Sequence, residues 1–273
     1  MRPLSLLVLL IALACHGSGS GGGSATVEAI GSGASCERDG SCAEGDDAVF
    51  VLGSSFSWDA QPQFLDGRPE WHIYCGKPLD FIFNNPYGHC LDGSTPWPEV
   101  LEPPALPFGH VTFQPARGEG ITQEQDVSHI THWLADQPLT TIGVIHATWP
   151  VQRSWETQLH DANPDHTFTN YSIDYYYDLL EQLELANPGR SFILTRSNEM
   201  LDYIFHDGSA PIAFEALFRD DSAHMSLDYG RYLQHNALRQ ATGQEVGIDN
   251  SEAGLDPLIL DYLDQVILLH PAY

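Results

Sequence analysis

The chain has 273 residues, with 37 acidic against 11 basic side chains and a formal net charge of -26. That balance excludes nucleic acid as a partner, and direct adhesion to anionic lipid, since both need clustered Lys and Arg. After a leader and spacer are set aside, about 230 residues remain, enough for a single domain with a full core.

Arg2 gives a short basic start, and Leu4 to Ala14 is an apolar run broken only by Ser5. The run is too short to span a bilayer but has the form of an export signal. Ala12, Leu13 and Ala14 lead into Cys15, an order that resembles the lipobox of bacterial lipoproteins. Residues 1–15 are therefore expected to be a lipoprotein signal peptide, with Cys15 lipidated and the mature chain anchored through that lipid, facing the periplasm or cell surface. An ordinary cleaved secretory signal is the alternative; either one exports the chain. Residues 16–46 open on an almost pure Gly and Ser stretch that cannot bury apolar area and reads as a flexible tether, leaving 47–273 as the folded domain. Export lets the four remaining cysteines pair. Cys36 with Cys42 would close a small loop and Cys75 with Cys90 is the obvious second pair, although four cysteines admit three connectivities.

From Ala48 onward strand and helix signals alternate. Ala48 to Leu52 is a short apolar run ending at Gly53, as expected for a strand buried on both faces. Trp71 to Cys75, His110 to Phe113, Thr141 to Ala147 and Ser191 to Thr195 read as four more strands. Thr122 with Gln125 forms a capping box ahead of one helix, Ser172 caps another that stops at Asn187, Ser226 starts a third, and Asp256 with Pro257 starts the last. The pattern predicts a three-layer α/β/α sandwich with a central parallel sheet of about five strands, flavodoxin-like in kind. In such sheets the working site lies at the carboxyl ends of the strands.

Just past the first strand stand Gly53, Ser54, Ser55, Phe56 and Ser57. A serine presented there can serve as a nucleophile, although a serine in that place is also a common helix cap. The GxSxG elbow of α/β-hydrolases is absent, since Phe56 is followed by Ser57. A nucleophilic serine needs a base, and the run Asp220, Asp221, Ser222, Ala223, His224, Met225, Ser226 offers one. Asp221 precedes His224 by three residues, so the carboxylate could hold one imidazole nitrogen while the other accepts a proton.

The segment DDSAHMSLDYGRYLQHNALRQATG, with Asp221, His224, Ser226, Gly230, Tyr232, Thr242 and Gly243 in register, resembles the last block of the SGNH (GDSL-like) hydrolases. The resemblance runs from 48 to 243 and implies a serine esterase in which Ser55 is the nucleophile, His224 the base and Asp221 its orienting acid. It implies oxyanion donors at the Ser55 N–H, at Gly76 after the second strand, and at Gln114, which stands where the family has an Asn. Ser54 in place of Asp or Asn, and Met225 in place of Pro, are further departures. An acylated envelope or extracellular substrate, such as an acetylated glycan or a lipid, is the expected small-molecule or glycan ester partner; no cofactor and no metal are implied, and a monomer is expected. Two other classes compete. One is a non-catalytic envelope protein that binds glycan by stacking Trp97, Trp149 and Trp155. The other is a metal protein using His129 and His132, although HITH lacks the spacing of HExxH.

Overall fold

Every residue of the first strand, β1 (Ala48–Gly53), is buried. Its alternation feeds two separate apolar layers. Ala48, Phe50 and Leu52 join a cluster with Phe113, Ile145 and Trp133, while Val49 and Val51 pack with Val144, Leu238 and Ala241. This is why the run AVFVL shows no polar face: helices cover both sides. The computed structural model describes residues 48–102, 107–115, 120–160, 171–220, 223–251 and 254–273. The expected leader and tether, with Cys15, Cys36 and Cys42, lie outside the described residues, as does Asp221.

The other strands are β2 (Arg68–Ile73), β3 (His110–Phe113), β4 (Ile142–Ile145) and β5 (Phe192–Leu194). All pair in parallel, in the order β2-β1-β3-β4-β5. The chain thus forms the expected five-stranded parallel sheet in a flavodoxin-like order, with its switch point between β1 and β3. In chain order the helices are α1 (Ser55–Asp59), α2 (Leu79–Asn84), α3 (Trp97–Val100), α4 (Gln123–Ala135), α5 (Trp155–Leu159), α6 (Ile173–Ala186), α7 (Ser197–His206), α8 (Tyr229–Ala241) and α9 (Pro257–Leu269). Residues of α2, α4 and α6 pack in the Phe50 layer, and those of α7, α8 and α9 form a second core on Met200, Leu233 and Ile267.

The sequence signals at helix starts hold where a side chain makes the cap. Thr122 and Gln125 form the reciprocal box at α4, Ser172 accepts from the Tyr175 N–H at α6, and Asp256 accepts from the Leu258 N–H at α9. At α8 the first helical residue is Tyr229, not Ser226. The Ser226 hydroxyl still takes the Gly230 N–H at 2.9 Å, so it acts on the first turn from outside the helix. Nothing in the sequence announces α7, whose preceding residue, Arg196, adopts a left-handed conformation (φ 54°) and makes no side-chain cap. The second strand also differs: it runs over Arg68–Ile73, not Trp71–Cys75, and so includes Pro69. Proline reads as a breaker, but β2 is an edge strand and tolerates a missing N–H. At the opposite edge, Leu194 and Tyr273 exchange backbone bonds of 2.7 and 3.0 Å, so the last residue covers part of β5. Among the described residues no helix is long and apolar enough to cross a membrane.

Three histidines, His72, His146 and His235, are enclosed among the described residues, and burial lowers the pKa of all three. Burial pushes both His146 and His235 down to about 4, against the weaker opposing pull of Gln234 and Asp59 on the first and of the Ala60 carbonyl on the second. A base whose folded value is depressed binds its proton more readily in the unfolded chain, so stability is complete above about pH 6.5 and falls as the pH drops toward 4. His146 and His235 each contribute a loss on the order of 3 kcal/mol by pH 4. Urea midpoints measured from pH 7 to pH 4 should decline steadily, and replacement of His146 by Gln should flatten part of that decline.

Candidate active site

The turn after β1 is shaped by Gly53. A Cβ there would lie 2.2 Å from Ser57 Oγ and 2.8 Å from Gln114 Cβ, so no larger residue fits without displacing the turn. Ser54 caps α1, its hydroxyl accepting the Phe56 N–H at 3.3 Å. Ser55 is therefore the first residue of the helix, half-buried, at the carboxyl end of the first strand. Gln114 leaves β3 directly opposite. Its Oε1 accepts from Ser54 Oγ at 3.1 Å and from Ser57 Oγ at 2.8 Å, fixing the residues on both sides of Ser55.

Residues four apart on a helix share a face, and on α1 those residues are Ser55 and Asp59. His224 meets both. Its Nε2 lies 3.4 Å from Ser55 Oγ and its Nδ1 lies 2.9 Å from Asp59 Oδ2. The two groups, 169 positions apart in the chain, thus come within hydrogen-bonding reach. A carboxylate on Nδ1 takes the ring proton there and leaves the Nε2 lone pair turned toward the hydroxyl.

The sequence reading gives the Nδ1 seat to Asp221, which lies outside the described residues; among the described residues the carboxylate on Nδ1 is Asp59. The Asp59 side chain is only 2% exposed, so its charge must be compensated within the protein. Oδ2 also accepts the Met225 N–H at 3.1 Å, and Oδ1 lies 3.5 Å from Arg231 and 3.7 Å from Arg219. Burial holds the Arg231 guanidinium below the usual arginine range, with Asp59 acting in the opposite sense. The residue after the histidine acquires a reason here. A proline at 225 would have no N–H to give, whereas Met225 donates one to the acid.

The segment carrying His224 is held from several directions. Phe218 and Met225 form an antiparallel bridge, the Arg219 N–H donates to the His224 carbonyl at 2.9 Å, and the Trp149 indole N–H donates to the Ala223 carbonyl at 2.9 Å. Gly230 lets α8 approach this hairpin closely, since a Cβ there would lie 2.1 Å from the Leu217 carbonyl oxygen. Phe56 stands beside the imidazole with ring centroids 5.2 Å apart and touches Trp149 on its other side, an apolar wall next to the reacting nitrogen.

The expected oxyanion donors fall in different environments. The Ser55 N–H is the first of a helix and so has no intrahelical acceptor. Gly76 lies three residues past β2 in a turn closed by the Lys77 N–H on the Tyr74 carbonyl at 3.2 Å, and its φ of 63° is one that glycine adopts without strain. The Cys75–Cys90 disulfide is formed, with a Cα–Cα distance of 5.7 Å, and pins that turn. Gln114 is fully buried, and its amide nitrogen is enclosed without a hydrogen-bond partner among the described residues. Its observed contacts are those of a residue that holds the serine turn from below. Removing the disulfide by Cys75→Ser with Cys90→Ser opens a loop of 15 positions and should cost about 3 kcal/mol in denaturant unfolding.

The residues of the two competing readings lie elsewhere. Trp97, Trp149 and Trp155 are 4%, 0% and 2% exposed, so all three are core residues with no face free for a sugar. His129 pairs with Asp80 at 2.9 Å and stacks on Phe83, and His132 meets the edge of the same ring. Among the described residues neither histidine belongs to a group of three or more side chains that could share a metal ion. A helix-face pair that the sequence could have revealed is Ser55 with Asp59, but a helix of five residues is too short for periodicity to announce it.

No family model matches this sequence, and no curated protein does. Among solved structures the chain is similar to a DUF4886 family protein from Bacteroides uniformis, with 15% identity over 81% of this chain and 92% of that one, at a TM-score of 0.48. It is also similar to a candidate SGNH hydrolase from Slackia heliotrinireducens, with 17% identity over 72% of this chain and 98% of that one, at a TM-score of 0.45. A third likeness is to the C-terminal catalytic domain of the Streptococcus pneumoniae peptidoglycan O-acetyltransferase A carrying a methylsulfonyl adduct, with 10% identity over 72% of this chain and 93% of that one, at a TM-score of 0.41. These likenesses assign no chemistry to this chain.

Proposed function

We propose that the chain is a serine esterase in which Ser55 attacks an acyl carbonyl and His224 takes its proton. The observation that carries this reading is the relay from Ser55 Oγ through His224 to Asp59, 3.4 Å and 2.9 Å, at the carboxyl end of β1. Such a chain of hydroxyl, imidazole and carboxylate raises the nucleophilicity of a serine that is otherwise inert at neutral pH. The first distance is long for a hydrogen bond, as catalytic contacts commonly are before substrate tightens them.

In the first step the Ser55 oxygen bonds to the carbonyl carbon while its proton passes to His224 Nε2. Asp59, buried against Arg219 and Arg231, stabilises the imidazolium that forms. The oxyanion is assigned to the Ser55 N–H and a Gly76 N–H, with Gln114 holding the turn in place. Collapse expels the alcohol, which takes the proton back from Nε2, and water then releases the acid by the same relay in reverse.

The substrate class follows from the address that the leader implies: an acylated glycan or lipid of the envelope or its surroundings, reached by a domain anchored through a lipid on Cys15. Hydrolysis of chromogenic esters with short and long acyl chains tests the reading. The wild-type chain should turn over at least one of them, and a wild type no faster than its Ser55→Ala variant on every ester would end it.

A further inference from the structure

A second cluster of chemically able side chains stands apart from the relay. Asp202 and His206 lie one turn apart on α7, and His160 ends α5. One ligand atom from each of the three lies within 4.8 Å of the others. The two imidazole Nε2 atoms approach the same carboxylate oxygen, Asp202 Oδ1, at 3.6 Å from His160 and 3.4 Å from His206.

These separations are longer than the roughly 2.7–3.2 Å of an N–H···O hydrogen bond. They agree instead with the edge of a tetrahedron around a zinc ion, which metal–ligand distances of about 2.0–2.1 Å set near 3.4 Å. The carboxylate is oriented by a neighbour: the Trp155 indole N–H donates to Asp202 Oδ1 at 3.3 Å, and Trp155 is itself buried. Partners of this kind fix ligand geometry in metal sites. Both histidine side chains are more than half exposed, so an ion has access from solvent. Asp202 and His206 also line a cavity of about 490 Å³ with Asp207 and His270, and the Glu199 carboxylate on its wall is paired with Arg196.

We propose that His160, Asp202 and His206 bind one divalent transition-metal ion of the zinc class, with water completing its coordination. Two imidazoles and one carboxylate suit that class better than calcium or magnesium, which take oxygen ligands. The ion joins the segment that follows β4 to the helix that follows β5. It has no part in the proposed relay, whose groups are all on other elements.

The test uses the full chain stripped with chelator and titrated with Zn²⁺ against a chromogenic chelator, with Co²⁺ as a spectroscopic probe. One Zn²⁺ should bind per chain, raise the melting temperature and give Co²⁺ the intense visible bands of a low-coordinate site. Asp202→Asn, which keeps the side-chain shape, and His206→Ala should each weaken binding by at least about tenfold. His129→Ala should bind as the wild type does, and ester hydrolysis should be the same with and without the ion. Failure of the wild-type chain to bind Zn²⁺ overturns the proposal. So does equal binding by the Asp202→Asn and His206→Ala variants, which would place the ion on other histidines. Circular dichroism of both variants separates loss of ligand from loss of fold.

Discussion

Ser55→Ala should lower kcat for ester hydrolysis by about 10⁴- to 10⁶-fold, His224→Ala should do nearly the same, and the double variant should be little worse than either alone. The non-additivity is the informative part. A hydroxyl that attacks only when its proton has somewhere to go loses its use when the base is removed, and a base with no hydroxyl to deprotonate loses its own. Independent structural roles would instead multiply the two losses. Ser55 is half-buried and packs no large side chain, so its replacement by Ala should leave thermal stability near that of the wild type. Equal kcat in Ser55→Ala and wild type would remove the serine from the chemistry.

The second large effect belongs to the acid. Asp59→Asn keeps the volume of the side chain but presents an amide to His224 Nδ1, which favours the wrong imidazole tautomer and should reduce kcat by about 10⁴-fold. Asp221→Asn should cost less than about tenfold. Kinetics of the two variants on one ester decide between the buried carboxylate four residues after the serine and the one three residues before the histidine. A collapse of rate in Asp221→Asn with Asp59→Asn near wild type would return the role to Asp221. Asp59→Asn also leaves Arg219 and Arg231 without their partner, so its unfolding midpoint should fall alongside the rate, whereas that of Ser55→Ala should not.

The fold was legible where it depends on burial. The β1 run is apolar at every position because both faces of the strand are covered, and the capping residues Thr122, Ser172 and Asp256 each hold a helix N-terminus by their own side chains. The apolar pattern marks the edge strand over Trp71–Cys75, whereas pairing with β1 sets it over Arg68–Ile73, where edge position makes Pro69 acceptable. Helix α7 has no signal in the sequence because its entry is a left-handed backbone turn at Arg196, with no capping side chain to mark it. Of the candidate site, the local pattern marks Ser55 after the first strand and His224 before α8, which the fold brings together. Asp59 does not stand out, because its contact with His224 depends on a helical turn too short to show a stripe and on a hairpin 165 positions away. The contacts of Gln114 are equally hidden in the sequence: its two seryl hydrogen bonds arise from the pairing of β3 with β1 at the switch point.

The central claim, that Ser55 is a nucleophile primed by His224, is tested most directly by covalent labelling with a serine-directed fluorophosphonate followed by peptide mass mapping. The account predicts a single adduct on the peptide containing Ser55, formed quickly by the wild type and very slowly by His224→Ala. No adduct on that peptide, or labelling of Ser55 at the same rate in the absence of the imidazole, would contradict it.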